Sequence, residues 1–266
     1  MKSSKEKQLE KSIQELVSDK AREMFDLLAE DAEIQALQEY ANTVSITRMN
    51  YNDHGPVHMR TVAYNALIIA NILHNAGITF NLEREGSHEY ADVQISLLLA
   101  CMLHDIGMTL GRIAHERNGA ILALPIIDRL LTAVYPNDLR RRIAIRSVTL
   151  ECILGHMASH RVHTLEAGTV LIADGCDMQK GRARIPMILN QEPKPGDIHQ
   201  YSAMAIEDLL LEPGARCPLK ITVLMSSSVG FFQVEEVLFP KLESSSVKPY
   251  TELYAGKPDE ELKCYL

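Results

Sequence analysis

Ile95-Ser96-Leu97-Leu98-Leu99-Ala100-Cys101-Met102-Leu103-His104-Asp105-Ile106-Gly107 is the stretch on which the reading of the fold turns. Apart from Ser96, every residue from Ile95 to Leu103 is apolar, so the run reads as a fully buried segment. Two residues able to hold a metal ion or a proton follow at once, and then a glycine that suits a helix stop. A helix over about 90–106, ending at Gly107, is predicted. His104 and Asp105 are adjacent, and adjacent residues on a helix point about 100° apart. Both reach one ion most easily near a helix end, which Gly107 suggests lies close by.

Working outward, the pattern from about 55 to 177 is helix after helix. Pro56 suits a first helical turn, with Asn52 or Asp53 upstream as capping groups. That helix runs through Val62, Ala66, Ile69 and Leu73 and stops before Gly77. A third helix starts near Arg112 and is expected to be interrupted or kinked at Pro125. A long one follows Pro136-Asn137-Asp138 and carries Ile143, Val148, Cys152, Ile153 and Leu154. Near the N-terminus, residues 4–29 read as one exposed helix with Leu9, Ile13, Leu16 and Val17 at helical spacing, and 31–44 as a second amphipathic stretch. After Pro193-Lys194-Pro195-Gly196 the character changes. The spacing predicts a short helix over 203–211, a strand at 219–224, a short helix over 231–242 and a strand at 250–254. The fold class is mainly α, a helical bundle with a small C-terminal α/β segment. The boundaries are 1–45 for an N-terminal helical extension, 46–195 for the helical domain and 196–266 for the C-terminal segment.

Composition narrows the function. A chain of 266 residues with 46% apolar and 23% charged side chains can bury a substantial core and is not broadly disordered. The five cysteines are odd in number and form no Cys-x-x-Cys pair, which disfavours zinc ribbons, thioredoxin-like sites and disulfide scaffolds. A net charge of −8 argues against general nucleic-acid binding. Aromatic residues are 5% with no Trp, which argues against a β-sandwich or a base-stacking platform. Met1–Glu10 is charged and lacks the apolar centre of a signal peptide, and no run reaches the roughly 18 apolar residues of a membrane span. A cytoplasmic protein without membrane contact is expected.

All ten histidines lie between 54 and 199. Several sit beside apolar helix ends, where histidine is not the obvious packing choice. One His-Asp dipeptide proves little, since about half an occurrence is expected by chance in this composition. The set His58, His104-Asp105, Asp174 is harder to dismiss, because each lies on an apolar helix. Imidazole and carboxylate donors without thiolate suit a borderline or hard divalent ion, with Mn, Fe, Mg, Co, Ni and Zn not distinguished. Asp105, with two oxygens, is the natural shared ligand if there are two ions.

In this order the residues resemble the HD superfamily of metal-dependent phosphohydrolases, whose signature is H…HD…D on a helical bundle. His58 with Val62 and Ala66 looks like its first histidine helix. Leu103-His104-Asp105-Ile106-Gly107 looks like its central motif, and Ile172-Ala173-Asp174-Gly175-Cys176-Asp177 like its closing Ala-Asp-x-x-Asp. The match covers roughly 46–190. It implies an HD-type bundle with His58, His104, Asp105 and Asp174 around a first ion. His115-Glu116-Arg117-Asn118-Gly119 and Ile153-Leu154-Gly155-His156 resemble segments of two-metal members, implying that His115 and His156 hold a second ion bridged by Asp105. His54 and His160 are candidates for protonating the leaving group, and Asp177 for orienting a ligand or Arg182 rather than binding metal. Lys180, Arg182 and Arg184 are candidates for binding substrate phosphate, because cationic side chains pair with phosphate oxygens. Members that cleave cyclic dinucleotides often carry a Lys and a second His where Met108 and Met157 stand here, so that activity is not expected. The implied function is hydrolysis of a nucleotide or another small phosphate ester, mono- or diester. The alternatives are a di-iron oxygenase of the same fold and a non-catalytic ligand-sensing or assembly protein. A homodimer would cover the apolar faces at both ends.

Overall fold

The mixed charged and aliphatic pattern at the N-terminus forms three helices rather than the two expected: α1 (Ser4–Leu16), α2 (Asp19–Glu30) and α3 (Ala32–Thr43). The computed structural model describes residues 2–49, 51–86, 88–159, 161–178 and 198–266. Helix α1 begins with a capping box, in which Ser3 and Glu6 each accept the other's backbone N–H. Between α1 and α2 the chain becomes extended at Val17 and Ser18, and the Ser18 N–H donates to Gln94 Oε1 at 3.0 Å. That contact is 76 residues away in sequence, so local spacing could not reveal the break. The arm is not a wholly exposed cap. Ile13, Met24, Phe25 and Leu28 are fully buried in the same apolar cluster as the central helices.

The central helices follow the sequence reading closely. They are α4 (Pro56–Asn75), the one-turn α5 (Asn81–Arg84), α6 (Tyr90–Leu103), α7 (His115–Val134), α8 (Leu139–Gly155) and α9 (Leu165–Gly175). Helix α6 is the axis of the core. Every residue from Asp92 to Leu103 is buried, and the helix packs against α2, α4, α7, α8 and α9. By length and composition Tyr90–Leu110 could cross a membrane, yet 89% of its apolar window is buried inside the fold, as in a core helix. Helix α7 runs through Pro125 without interruption. The carbonyl left without a partner one turn earlier belongs to Ile121, whose side chain is 72% exposed, so water can reach that surface.

The C-terminal segment holds α10 (Ile198–Ala205), strands β1 (Ile206–Pro213), β2 (Leu219–Met225), β3 (Thr251–Gly256) and β4 (Lys263–Cys264), and an irregular helical run from Ser228 that ends in α11 (Phe239–Ser244). The strand order is β1-β2-β3-β4. Strand β2 pairs antiparallel with β1 (Leu209 opposite Val223) and parallel with β3 (Ile221 opposite Leu253). A parallel pair needs a crossover, and the helical run ending in α11 supplies it. The helix expected over 203–211 is corrected: it ends at Ala205, and 206–213 is a strand. Strand β1 lies at the sheet edge with little buried surface, so pairing with β2, not its own pattern, sets its conformation. The crossover also brings α11 against α9.

Candidate metal centre

Five helix ends meet at one place. His58 lies in the first turn of α4, after Pro56. His104 closes α6, and Asp105 follows at φ −101°, ψ 3° as the chain turns into a 3-10 segment, Ile106–Leu110. His115 is the first residue of α7, His156 ends α8, and Asp174 is in the last turn of α9. All six side chains are buried. Because α6 stops at Leu103, Asp105 is freed from helical geometry and turns toward the same point as His104. The C-terminal ends of α6, α8 and α9 bring carbonyl-rich dipole ends to the centre, an arrangement that favours a cation. Ala114 and Ala158, beside His115 and His156, are the non-glycine residues with positive φ, 54° and 57°, among those described. Such conformations are costly for residues with a Cβ, and here they flank the converging histidines.

The hydrogen bonds fix which ring nitrogens face inward. Nδ1 of His104 donates to the Cys101 carbonyl at 2.8 Å, Nδ1 of His115 to Arg112 at 3.0 Å and Nδ1 of His156 to Ile153 at 2.7 Å. His58 Nδ1 donates to the Asp177 carboxylate at 2.6 Å. A carbonyl can only accept, so the proton of each neutral ring sits on Nδ1 and the Nε2 lone pair is free to ligate. These Nε2 atoms face one another in pairs: His58 and His104 at 3.2 Å, His115 and His156 at 3.0 Å. Two lone pairs at that distance repel unless a cation lies between them.

Asp105 joins the two pairs. Its Oδ2 is 3.3 Å from both His58 Nε2 and His104 Nε2, while its Oδ1 is 3.3 Å from His115 Nε2 and 3.4 Å from His156 Nε2. Asp174 Oδ1 completes the first group, 3.3 Å from His58 and 3.9 Å from His104. Donor atoms at ~2.1 Å from a first-row divalent ion lie roughly 3.0–3.4 Å from one another, so the donor set fits metal binding. The ligand atoms of His58, His104 and Asp174 lie within 4.8 Å of one another, as do those of His104, Asp105 and His156. The chain therefore carries a buried histidine–aspartate cluster that could hold metal.

Burial by itself would raise the Asp105 carboxyl. In their protonated forms the neighbouring imidazoles of His104 and His54, with hydrogen bonds that His104 and His115 then donate, outweigh burial and hold it well below the usual range. Burial likewise opposes ionisation of Asp174, and Lys241, His58 and His104 hold it well below the carboxylate range. Burial pushes His156 down to about 4, which keeps its ring neutral, and its lone pair available, at neutral pH.

The centre opens into a cavity of about 620 Å³. His54, Asp105, His156, Asp174 and Asp177 reach it, together with Tyr51, Arg112, Gln233, Glu236 and Lys241. His54 sits in the loop before α4, as Gly55-Pro56 implied. Its Nδ1 is 2.6 Å from the Asn52 carbonyl oxygen, and its ring centroid is 5.9 Å from that of His58. His160, Lys180, Arg182 and Arg184 lie outside the described residues. Asp177, expected to orient a ligand or Arg182, accepts the hydrogen bond from Nδ1 of His58. Lys241 escaped the sequence reading. Its Nζ pairs with Asp174 Oδ2 and donates to the His156 carbonyl at 3.0 Å. Nothing in Phe239-Pro240-Lys241-Leu242 marks a site residue; the parallel crossover carries it there.

The chain is 34% identical over 238 residues, covering 90% of each sequence, to an uncharacterized protein, MJ1020, of the archaeon Methanocaldococcus jannaschii. No family model matches the chain, and no solved structure matches it.

Proposed function

The chain belongs to one family with the Methanocaldococcus jannaschii protein, and we propose that in it the histidine–aspartate centre serves metal-dependent hydrolysis of a nucleotide or another small phosphate ester, in the manner of the HD superfamily. The observation that carries this reading is the division of Asp105 between two histidine pairs, Oδ2 toward His58 and His104 and Oδ1 toward His115 and His156. His58, His104, Asp105 and Asp174 would hold one divalent ion, and Asp105, His115 and His156 a second. Bound there, divalent ions supply Lewis acidity toward water and a phosphoryl oxygen.

The chain's own residues do the rest. Asp177 accepts the His58 Nδ1 proton and so keeps Nε2 aimed at the centre. His54 Nδ1–H donates to the loop carbonyl of Asn52, so the imidazolium form would carry at Nε2 the proton that passes to the leaving oxygen, leaving the ring neutral. Met157, Met178 and Val237 also line the cavity and would limit water around a bound substrate. Arg112, which lines the cavity, would offer a guanidinium to an anionic ligand.

The test is metal content per chain by elemental analysis on wild type and Asp105→Ala, paired with phosphate release from a nucleotide panel. About two ions in the wild type, lost in the variant together with activity, is the expected result. A mixed-valent di-iron signal without phosphate release assigns the oxygenase instead. No metal under replete conditions ends the metalloenzyme reading.

A further inference from the structure

We propose that Lys241, delivered by the C-terminal segment, is the residue that binds the phosphoryl group of the substrate. This inference rests on the phosphohydrolase reading above and goes on to assign the anion subsite.

The cavity presents the carboxylates of Asp105, Asp174, Asp177 and Glu236 to any ligand. Divalent ions held by Asp105 and Asp174 would offset those two carboxylates, and a cationic side chain beside them would offset Asp177 and Glu236 and add a directed donor for a phosphoryl oxygen. Among the described lining residues, Arg112 and Lys241 are the ones with permanently cationic side chains. Arg112 lines the same cavity, but its guanidinium lies 6.0 Å from the Tyr51 ring centroid and 3.8 Å from Met157 Sδ, and among the described residues it bonds to no carboxylate of the centre. Lys241 is at the centre itself, hydrogen-bonded to Asp174, a candidate metal ligand, and to the backbone of His156, another.

An ammonium has three N–H donors. Two are committed, to Asp174 Oδ2 and to the His156 carbonyl oxygen. Those two acceptors come from different helices, and among the described residues no third acceptor meets the nitrogen. The third donor belongs to a residue that lines the cavity, and a phosphoryl oxygen beside the metal ligands completes its bonding. The aliphatic stem is also placed by the core. A Cβ added at Gly175 would stand 3.1 Å from Lys241 Cδ and 3.2 Å from Leu238 Cδ1, so the missing side chain makes the channel through which the lysine reaches Asp174. The side chain is 12% exposed, so the ammonium is desolvated enough for a charge-assisted contact to count. In this arrangement the small sheet and its crossover are part of the site, because they carry the anion-binding lysine.

The experiment is calorimetric titration of inorganic phosphate into full-length, metal-loaded protein, with ion content measured on the same samples. Wild type is compared with Lys241→Met, Lys241→Gln and Lys241→Arg. Gln keeps a donor for Asp174 without the charge, and serves as the uncharged variant if Met does not fold. The expected result is wild-type ion content in all variants. Phosphate binding should be about tenfold to a hundredfold weaker in Met and Gln, the loss of one charged hydrogen bond, and within a few-fold of wild type in Arg. Unchanged phosphate affinity in Met or Gln overturns the inference while leaving the hydrolase reading intact. Loss of metal together with phosphate in Lys241→Gln also overturns it, because the lysine then acts only through Asp174. If metal-loaded wild type itself binds no phosphate, both the inference and the hydrolase reading fall.

Discussion

Gly107→Ala isolates the contact that sets the spacing between Asp105 and the second histidine pair. A Cβ built at Gly107 stands 1.9 Å from the His115 carbonyl oxygen and 2.4 Å from the Gly119 nitrogen. Both are backbone atoms of the first turns of α7, so no side chain can swing aside. To reach ordinary contact, the 3-10 segment and α7 must part by roughly 1 Å or more, a displacement at the upper end of the ~1–3 kcal/mol cost of overpacking. For a chain of this size that corresponds to a melting temperature lower by roughly 6–12 °C. The displacement falls on the His115–Asp105 Oδ1 separation of 3.3 Å and leaves the His58–His104 pair, on α4 and α6, in place. On the two-ion reading, the variant is therefore expected to fold, melt lower and retain about one ion per chain against about two expected in the wild type, read by elemental analysis and a thermal melt. Gly77→Ala is the control: φ is 82° there and nothing lies within 4 Å of the added Cβ. It should cost about 1–2 kcal/mol from backbone strain alone and leave the ion count untouched. Wild-type ion content and melting temperature in Gly107→Ala would refute the reasoning.

Three further outcomes are expected. Asp177→Asn exchanges a carboxylate partner of His58 Nδ1 for a neutral one and should weaken metal affinity about tenfold to a hundredfold, measured by competition with a chromogenic chelator; unchanged affinity would remove Asp177 from the centre. His54→Gln should keep the metal and lower kcat by about a hundredfold or more if His54 moves a proton, with the matching limb of the pH–rate profile lost. Chelator treatment should lower the melting temperature by roughly 10 °C, as expected when a ligand held at about a thousand times its dissociation constant is withdrawn, and re-addition of metal should restore it.

The sequence by itself determined most of the helical frame and the identity of the clustered residues. Helices α4, α6 and α8 were legible because apolar periodicity, Pro56, Asp138 and the punctuating glycines are local signals. His58, His104, Asp105 and Asp174 stood out as imidazole and carboxylate groups on apolar helices, and His115 and His156 through the resemblance of their segments to the HD superfamily. Tertiary structure decided what depends on partners distant in the chain. The break at Val17 and Ser18 is held by Gln94, and β1 becomes a strand because β2 pairs with it. The division of Asp105 between two histidine pairs exists only once α6 ends at Leu103 and α7 and α8 bring their termini to its far side. Lys241 reaches Asp174 across 67 residues of chain. An ion pair of that span leaves no periodicity in either segment, because nothing in the local backbone requires it; the parallel β2–β3 crossover, which turns α11 onto α9, brings the lysine to the aspartate.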